Sequence, residues 1–124
     1  MSSAANQLDP AALQRLRDLD PTGSSRLLDR VFRAFEDSIA RLRPQMLAAV
    51  AAGDAPGLRH AAHTLKSSSA SIGAIKLSQL CAEMEAMARE GRTDGMTDST
   101  HQLCAEIDAV LAALSRMRAP DCPA

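Results

Sequence analysis

The segment His63-Thr64-Leu65-Lys66-Ser67-Ser68-Ser69-Ala70-Ser71-Ile72-Gly73-Ala74 concentrates the reactive side chains of this chain. An imidazole is followed three residues later by an amine, then by small hydroxyl residues and a glycine. On a helix, residues three and four apart are neighbours, so Lys66 and Ser67 meet His63 one turn further on. Helical side chains lean toward the N-terminus, which brings both back over the imidazole. An unperturbed imidazole, with a pKa of ~6.5, keeps a free lone pair at neutral pH. A nearby ammonium disfavours the imidazolium form and can balance charge on an anionic group that arrives there. The pattern points to a nucleophilic His63 that takes up a phosphoryl group, with Lys66 and Ser67 positioning it.

Two features of the surrounding chain bear on this reading. Arginine outnumbers lysine twelve to two, so Lys66 departs from the chain's own habit. No Asp or Glu falls between Asp54 and Glu83, where the overall acid content predicts roughly three. The charges of that window are Arg59, Lys66 and Lys76, with His60 and His63 beside them. Acids next to His63 would repel both an acidic partner and the phosphoryl group, so the gap reads as electrostatic clearance around the imidazole.

The elements that must hold His63 read as helices. Apolar residues make up 46% of the 124, and Phe32 and Phe35 are the two aromatics. Such an Ala/Leu/Arg/Glu-rich composition favours helices packed closely through small side chains. Residues 1–8 are small and polar and read as a loose end. Asp9-Pro10 is an N-cap followed by an N1 proline, opening a short helix to about Leu19. Asp20-Pro21-Thr22-Gly23 is a turn. Leu27, Leu28, Val31, Phe32, Phe35, Ile39 and Leu42 then recur at three and four residues, a long amphipathic helix. Pro44 is expected to kink or break it, and Met46, Leu47 and Val50 carry the pattern on to Gly53.

Asp54 can cap a helix running to about Ile72, with Gly73 turning the chain out of it. On that helix Leu58, Ala61, Ala62, Leu65, Ser69 and Ile72 form a stripe toward the bundle, and Arg59, His63, Lys66, Ser67 and Ala70 lie opposite, in solvent. Ile75, Leu77, Leu80, Cys81, Met84, Met87 and Ala88 mark a fourth helix, ending near Gly91. Residues 92–97 read as a loop. Leu103, Ile107, Val110, Leu111, Leu114 and Met117 mark a last helix, and residues 119–124 a loose tail with Pro120 and Pro123. No strand pattern and no repeat occurs. The expected fold is all-α, an antiparallel four-helix bundle over residues 9–118 with the short first helix as a lid.

Ala62-His63-Thr64-Leu65-Lys66-Ser67-Ser68-Ser69, with Gly73-Ala74 after it, resembles the histidine-containing phosphotransfer (HPt) domain of multistep two-component signalling. The length and helix layout of residues 9–118 agree with that family. The resemblance implies that a receiver domain's phospho-aspartate phosphorylates His63, which passes the group to another receiver's aspartate. Lys66 then matches the family lysine beside the phosphoryl group, Gly73 the turn glycine, and Ser68 and Ser69 the small packing residues. Implied partners are response-regulator receivers and a hybrid sensor histidine kinase, with Mg²⁺ held by the receiver and no cofactor on this chain. The expected docking face is Arg59, His60, His63, Ser67 and Ala70, joined by the second helix near Phe35. One position departs. The family's glycine after the lysine is Ser67 here, a small hydroxyl expected to tune transfer rather than abolish it.

Other chemistries find little support. A net charge of −1 gives no general attraction to nucleic acid or an anionic membrane. No apolar run approaches the ~18 residues of a spanning helix, and no signal-peptide pattern is present. There is no Walker pattern and no glycine-rich loop, so the expectation is a carrier without its own kinase or ATP site, not an enzyme. His60 and His63 at i, i+3 could begin a metal site, but helical phase sets His60 aside and the window lacks carboxylates, so no metal is expected. Cys81, Cys104 and Cys122, odd in number and without ligand spacing, read as reduced thiols of a cytoplasmic protein, the first two in the core. A monomer is expected. A second function class fits the same residues: a phosphorylation-independent adaptor that binds a receiver or sensor kinase as scaffold or inhibitor.

Overall fold

The helix that carries His63 starts where the sequence offers a cap. Asp54 Oδ1 accepts a hydrogen bond from the Gly57 backbone N–H at 3.0 Å, and Pro56 sits in the first turn, where its missing N–H has no bond to lose. The computed structural model describes residues 8–23, 26–92 and 96–118. Within them lie α1 (Pro10–Asp18), α2 (Leu27–Ala52), α3 (Ala55–Ser71), α4 (Ile75–Arg89) and α5 (Met96–Arg118). No strand occurs among the described residues. The helix α2 packs on α3, α3 on α4, α4 on α5 and α5 back on α2, which closes an antiparallel four-helix bundle, with α1 laid against α2.

The core follows the helical period. Phe32, Phe35, Ile39, Leu42, Met46 and Ala49 are buried along α2, and Leu58, Ala61, Ala62, Leu65 and Ser69 along α3. Leu58 and Leu65 are fully buried, each contributing on the order of 2 kcal/mol relative to exposure. The small inward residues Ala61, Ala62 and Ser69 of α3, and Cys81 and Ala88 of α4, are all buried where the two helices pack. This is the packing that sets the site, because α4 lies directly beneath the His63 face.

Three expectations need correction. Pro44 does not break α2, which runs uninterrupted from Leu27 to Ala52. Pro44 and Ala40 (whose carbonyl the missing N–H would have met) are both exposed, so that carbonyl is open to water. The buried Leu42, Met46 and Ala49 on either side hold both halves against the bundle. Leu8 is not part of a loose end: it is 1% exposed, and the Asp9 N–H donates to the Gly73 carbonyl at 2.7 Å. Met96 and Thr97 belong to α5 rather than to a loop, because Met96 is buried and anchors the first turn. The expected loose residues 1–7 and 119–124, with Cys122, lie outside the described residues.

Gly73 makes the α3–α4 turn at φ +78°, a left-handed conformation that side chains resist. A Cβ there would also lie 2.8 Å from the Ala12 Cβ and 3.1 Å from the Asp9 nitrogen. The glycine thus serves both the turn and the seating of α1 against it.

Candidate functional site

His63 stands in mid-α3 with 60% of its side chain exposed, as its phase on the helix predicts. Its Nδ1 lies 2.9 Å from Glu85 Oε2, on the facing side of α4. The Lys66 Nζ donates to the other oxygen, Oε1, at 2.7 Å. Arg89, one turn beyond Glu85, donates from Nη2 to Oε2 at 3.2 Å. A single carboxylate, its side chain 6% exposed, gathers an imidazole, an ammonium and a guanidinium. Such a buried charge is tolerable because its partners surround it.

This overturns the expected electrostatic clearance around His63. An acid does stand beside the imidazole, contributed by α4 from outside the acid-free window. Nor is Lys66 turned toward the imidazole: its ammonium is engaged with Glu85. The hydrogen bond from Lys66, and then that from His63, hold the Glu85 carboxyl below its ordinary value of 4.5 against the opposing effect of burial. An ionised carboxylate can only accept, so Nδ1 carries the ring proton and the lone pair of the neutral imidazole sits on Nε2.

Local contacts fix this arrangement. Ser78 Oγ at the start of α4 donates to the Lys66 carbonyl at 3.2 Å, tying the two helices together beside the site. Thr64 Oγ1 donates to the His60 carbonyl at 3.1 Å. Cys81, one turn before Glu85, is fully buried; burial pushes its thiol up to about 12, against the pull of Lys66 and with the push of Glu85. It is a packing residue and not a second nucleophile.

Arg59, His60, Ser67 and Ala70 are exposed on the same side of α3 as His63. The Ser67 side chain makes no hydrogen bond to the imidazole, whose partner is Glu85. Phe35 is placed differently from the docking residue expected: it is 3% exposed and backs a small cleft of ≈ 200 Å³ whose rim includes Ala34, Ser38, Ser68 and Ser71. A partner could meet that rim, but not the phenyl ring itself. An open groove of ≈ 510 Å³ on the N-terminal side of His63 is lined by Pro56, Arg59, His60, His63, Glu85 and Arg89. Glu85 and Arg89 were not among the candidates read from the sequence. The available signal was Glu85's place four residues after Cys81, on the Leu77–Cys81–Met84–Ala88 stripe, where an acid is out of keeping with its neighbours.

An exposed imidazole on a four-helix bundle, with a buried carboxylate on its Nδ1, is the centre of this surface. The Hpt domain family matches residues 30–116, and the chain belongs to that family, whose members carry phosphoryl groups on histidine in phosphorelays. The chain is also similar to the crystal structure of histidine-containing phosphotransfer protein B (HptB) from Pseudomonas aeruginosa PAO1. The two share 31% sequence identity and a TM-score of 0.77, over 92% of this chain and 96% of that one. No curated protein sequence matches the chain significantly.

Proposed function

We propose that this chain is a phosphocarrier that relays a phosphoryl group from one receiver-domain aspartate to another through His63. The observation that carries the reading is the Glu85 carboxylate on Nδ1, which leaves Nε2 as the exposed nucleophile. In the first transfer the Nε2 lone pair forms the N–P bond while the P–O bond to the donor aspartate breaks, and that electron pair leaves on the aspartate. Nδ1 keeps its proton, so the phosphorylated ring is cationic, with the Glu85 carboxylate against it. In the second transfer an aspartate oxygen of the next receiver forms the P–O bond, and the N–P pair returns to Nε2. The chain's contribution is positioning and charge neutralisation, the usual means of catalysing in-line phosphoryl transfer.

Lys66 (one-third exposed) is within reach of solvent and of charge arriving at the imidazole. Ser67 stands one turn beyond His63, where its hydroxyl narrows the approach relative to a glycine. Arg59, His60 and Ala70, with the cleft rim in front of Phe35, supply the surface on which a receiver docks. The carboxylates expected of a receiver site complement the exposed arginines of this face, and the receiver holds the Mg²⁺. The carrier holds no ATP site and no metal of its own, works as a monomer in the cytoplasm, and takes its group from a hybrid sensor kinase's receiver. No described helix is long and apolar enough to cross a membrane.

The test is incubation with a phosphorylated receiver, followed by the acid and base stability of any label. An acid-labile, base-stable label that is absent in His63→Gln supports the carrier. Intact receiver binding with no label in wild type would instead make the chain an adaptor.

A further inference from the structure

The groove on the N-terminal side of His63 holds more positive charge than one carboxylate needs. Its walls are Arg59 and His60 from α3, one turn before His63, and Arg89 from the end of α4, with Glu85 at its base. Lys66 is not among its lining residues; it lies on the C-terminal side of His63, with its ammonium on Glu85 Oε1. Helical side chains lean toward the N-terminus, so the imidazole leans over this groove rather than toward Ser67. Arg59 makes no ion pair among the described residues, and 55% of the Arg89 side chain is exposed.

Arg89 also occupies a contested position. It shares Oε2 with His63 Nδ1, at 3.2 Å against 2.9 Å, while Lys66 has Oε1 to itself at 2.7 Å. Of the two cations on Glu85, Arg89 has the longer contact, the greater exposure and the place in the groove. It is the last residue of α4, followed by the helix cap at Glu90 and by Gly91 at φ +73°, so its side chain is confined by helix on one side alone.

We infer that Arg89 exchanges partners on phosphorylation, leaving Glu85 Oε2 to grip the phosphoryl oxygens on His63 Nε2, with Arg59 as the second cation across the groove. The guanidinium fork suits two oxygens of a phosphoryl group, and a dianion attracts it more strongly than a carboxylate shared three ways. The departure of Arg89 gives the whole of Oε2 to Nδ1–H at the moment the ring becomes cationic. One movement then serves both charges of the phosphorylated state.

This inference rests on the phosphocarrier reading of His63, and the experiment separates the two. The full chain is phosphorylated with phosphoramidate: Nε2 forms the N–P bond as the donor's P–N bond breaks and ammonia leaves. A ³¹P resonance absent in His63→Gln supports the carrier; no resonance in wild type, or one that survives in His63→Gln, defeats that reading itself. Given the label, the acid ionisation of the phosphoryl group is followed by its ³¹P shift against pH. Removing a bound cation disfavours the dianion, so Arg89→Gln must raise the midpoint by about 0.5 unit or more, with Arg89→Lys restoring part of the shift. A smaller rise, or none, overturns the inference while leaving the carrier intact. Because His60 lines the same groove, with Glu85 at its base and Lys66 on the far side of His63, the comparison is repeated in a His60→Gln background. A readout without the Arg89 substitution is the side-chain ¹⁵N–¹H resonance of Arg89 in the wild-type chain. It must move on phosphorylation; an unmoved resonance contradicts the exchange.

Discussion

Glu85 on α4 and Glu106 on α5 occupy similar ground: both are carboxylates on the inward side of their helices, 5% and 6% exposed. Their surroundings differ. Glu85 has three cationic or hydrogen-bonding partners, Lys66, His63 and Arg89, at 2.7, 2.9 and 3.2 Å. Glu106 has the mostly exposed Lys76 at 3.8 Å, and its Oε2 finds no hydrogen-bond partner among the described residues. Burial of an acid is therefore not what marks a site in this bundle. Convergence of several donors on one carboxylate, beneath an exposed imidazole, is. Glu106 bears the cost of burial without a comparable set of partners, whereas Glu85 uses its burial to fix the tautomer of His63.

The two carboxylates should differ most in what their removal costs. Glu85→Ala frees the imidazole and is expected to slow transfer from a phosphorylated receiver on the order of 100-fold, the upper end of the usual loss when the carboxylate behind a functional histidine is removed. Glu106→Ala should leave that rate unchanged within about twofold, because it lies outside the His63 network. Equal losses in single-turnover transfer would erase the distinction. Glu85→Gln is the finer test. It retains an acceptor for Nδ1 but loses the charge that opposes the cationic phosphorylated ring, so a loss of about tenfold is expected, between wild type and alanine.

Stability should separate the pair in a second way. The native pKa of Glu85 is lowered, so its contribution to folding is complete above the ordinary value of 4.5 and is lost as the pH falls through the lowered native value. Urea unfolding of wild type and Glu85→Gln should therefore give a constant difference at higher pH that shrinks below 4.5. A difference that grows on acidification would contradict the ion-pair account. Glu106→Gln, relieving a poorly partnered carboxylate, is expected to change stability by less than about 1 kcal/mol. The smallest effect belongs to Ser67→Gly. With no bond from Ser67 to His63 to lose, a few-fold change in transfer rate is expected, read in the same single-turnover assay.

The fold was largely legible because it rests on local chemistry: helical periodicity, the Asp9-Pro10 and Asp54 caps, and the Gly73 turn. The exceptions have tertiary causes. Pro44 carries a local breaking signal, yet packing on both sides of it keeps α2 whole. Leu8 sits among small polar residues and gives no periodic signal, yet the core takes it in. At the site, His63 and Lys66 stand out because their spacing is helical and short. Glu85 and Arg89 come from the next helix, 22 and 26 positions beyond His63. A window of neighbouring sequence therefore showed an acid-free surface, whereas the folded chain supplies its acid from across the α3–α4 contact. The departure of Glu85 from the apolar stripe of α4 was visible, but not the partner it would meet.

In the proposed relay Glu85 holds the proton on Nδ1 and so reserves Nε2 for the phosphoryl group. Two-dimensional ¹H–¹⁵N NMR of the phosphorylated chain, with ³¹P coupling to the ring nitrogens, reads out which nitrogen carries phosphorus. The expected result is phosphorus bonded to Nε2 of His63 with a protonated Nδ1. Phosphorus on Nδ1 would contradict it.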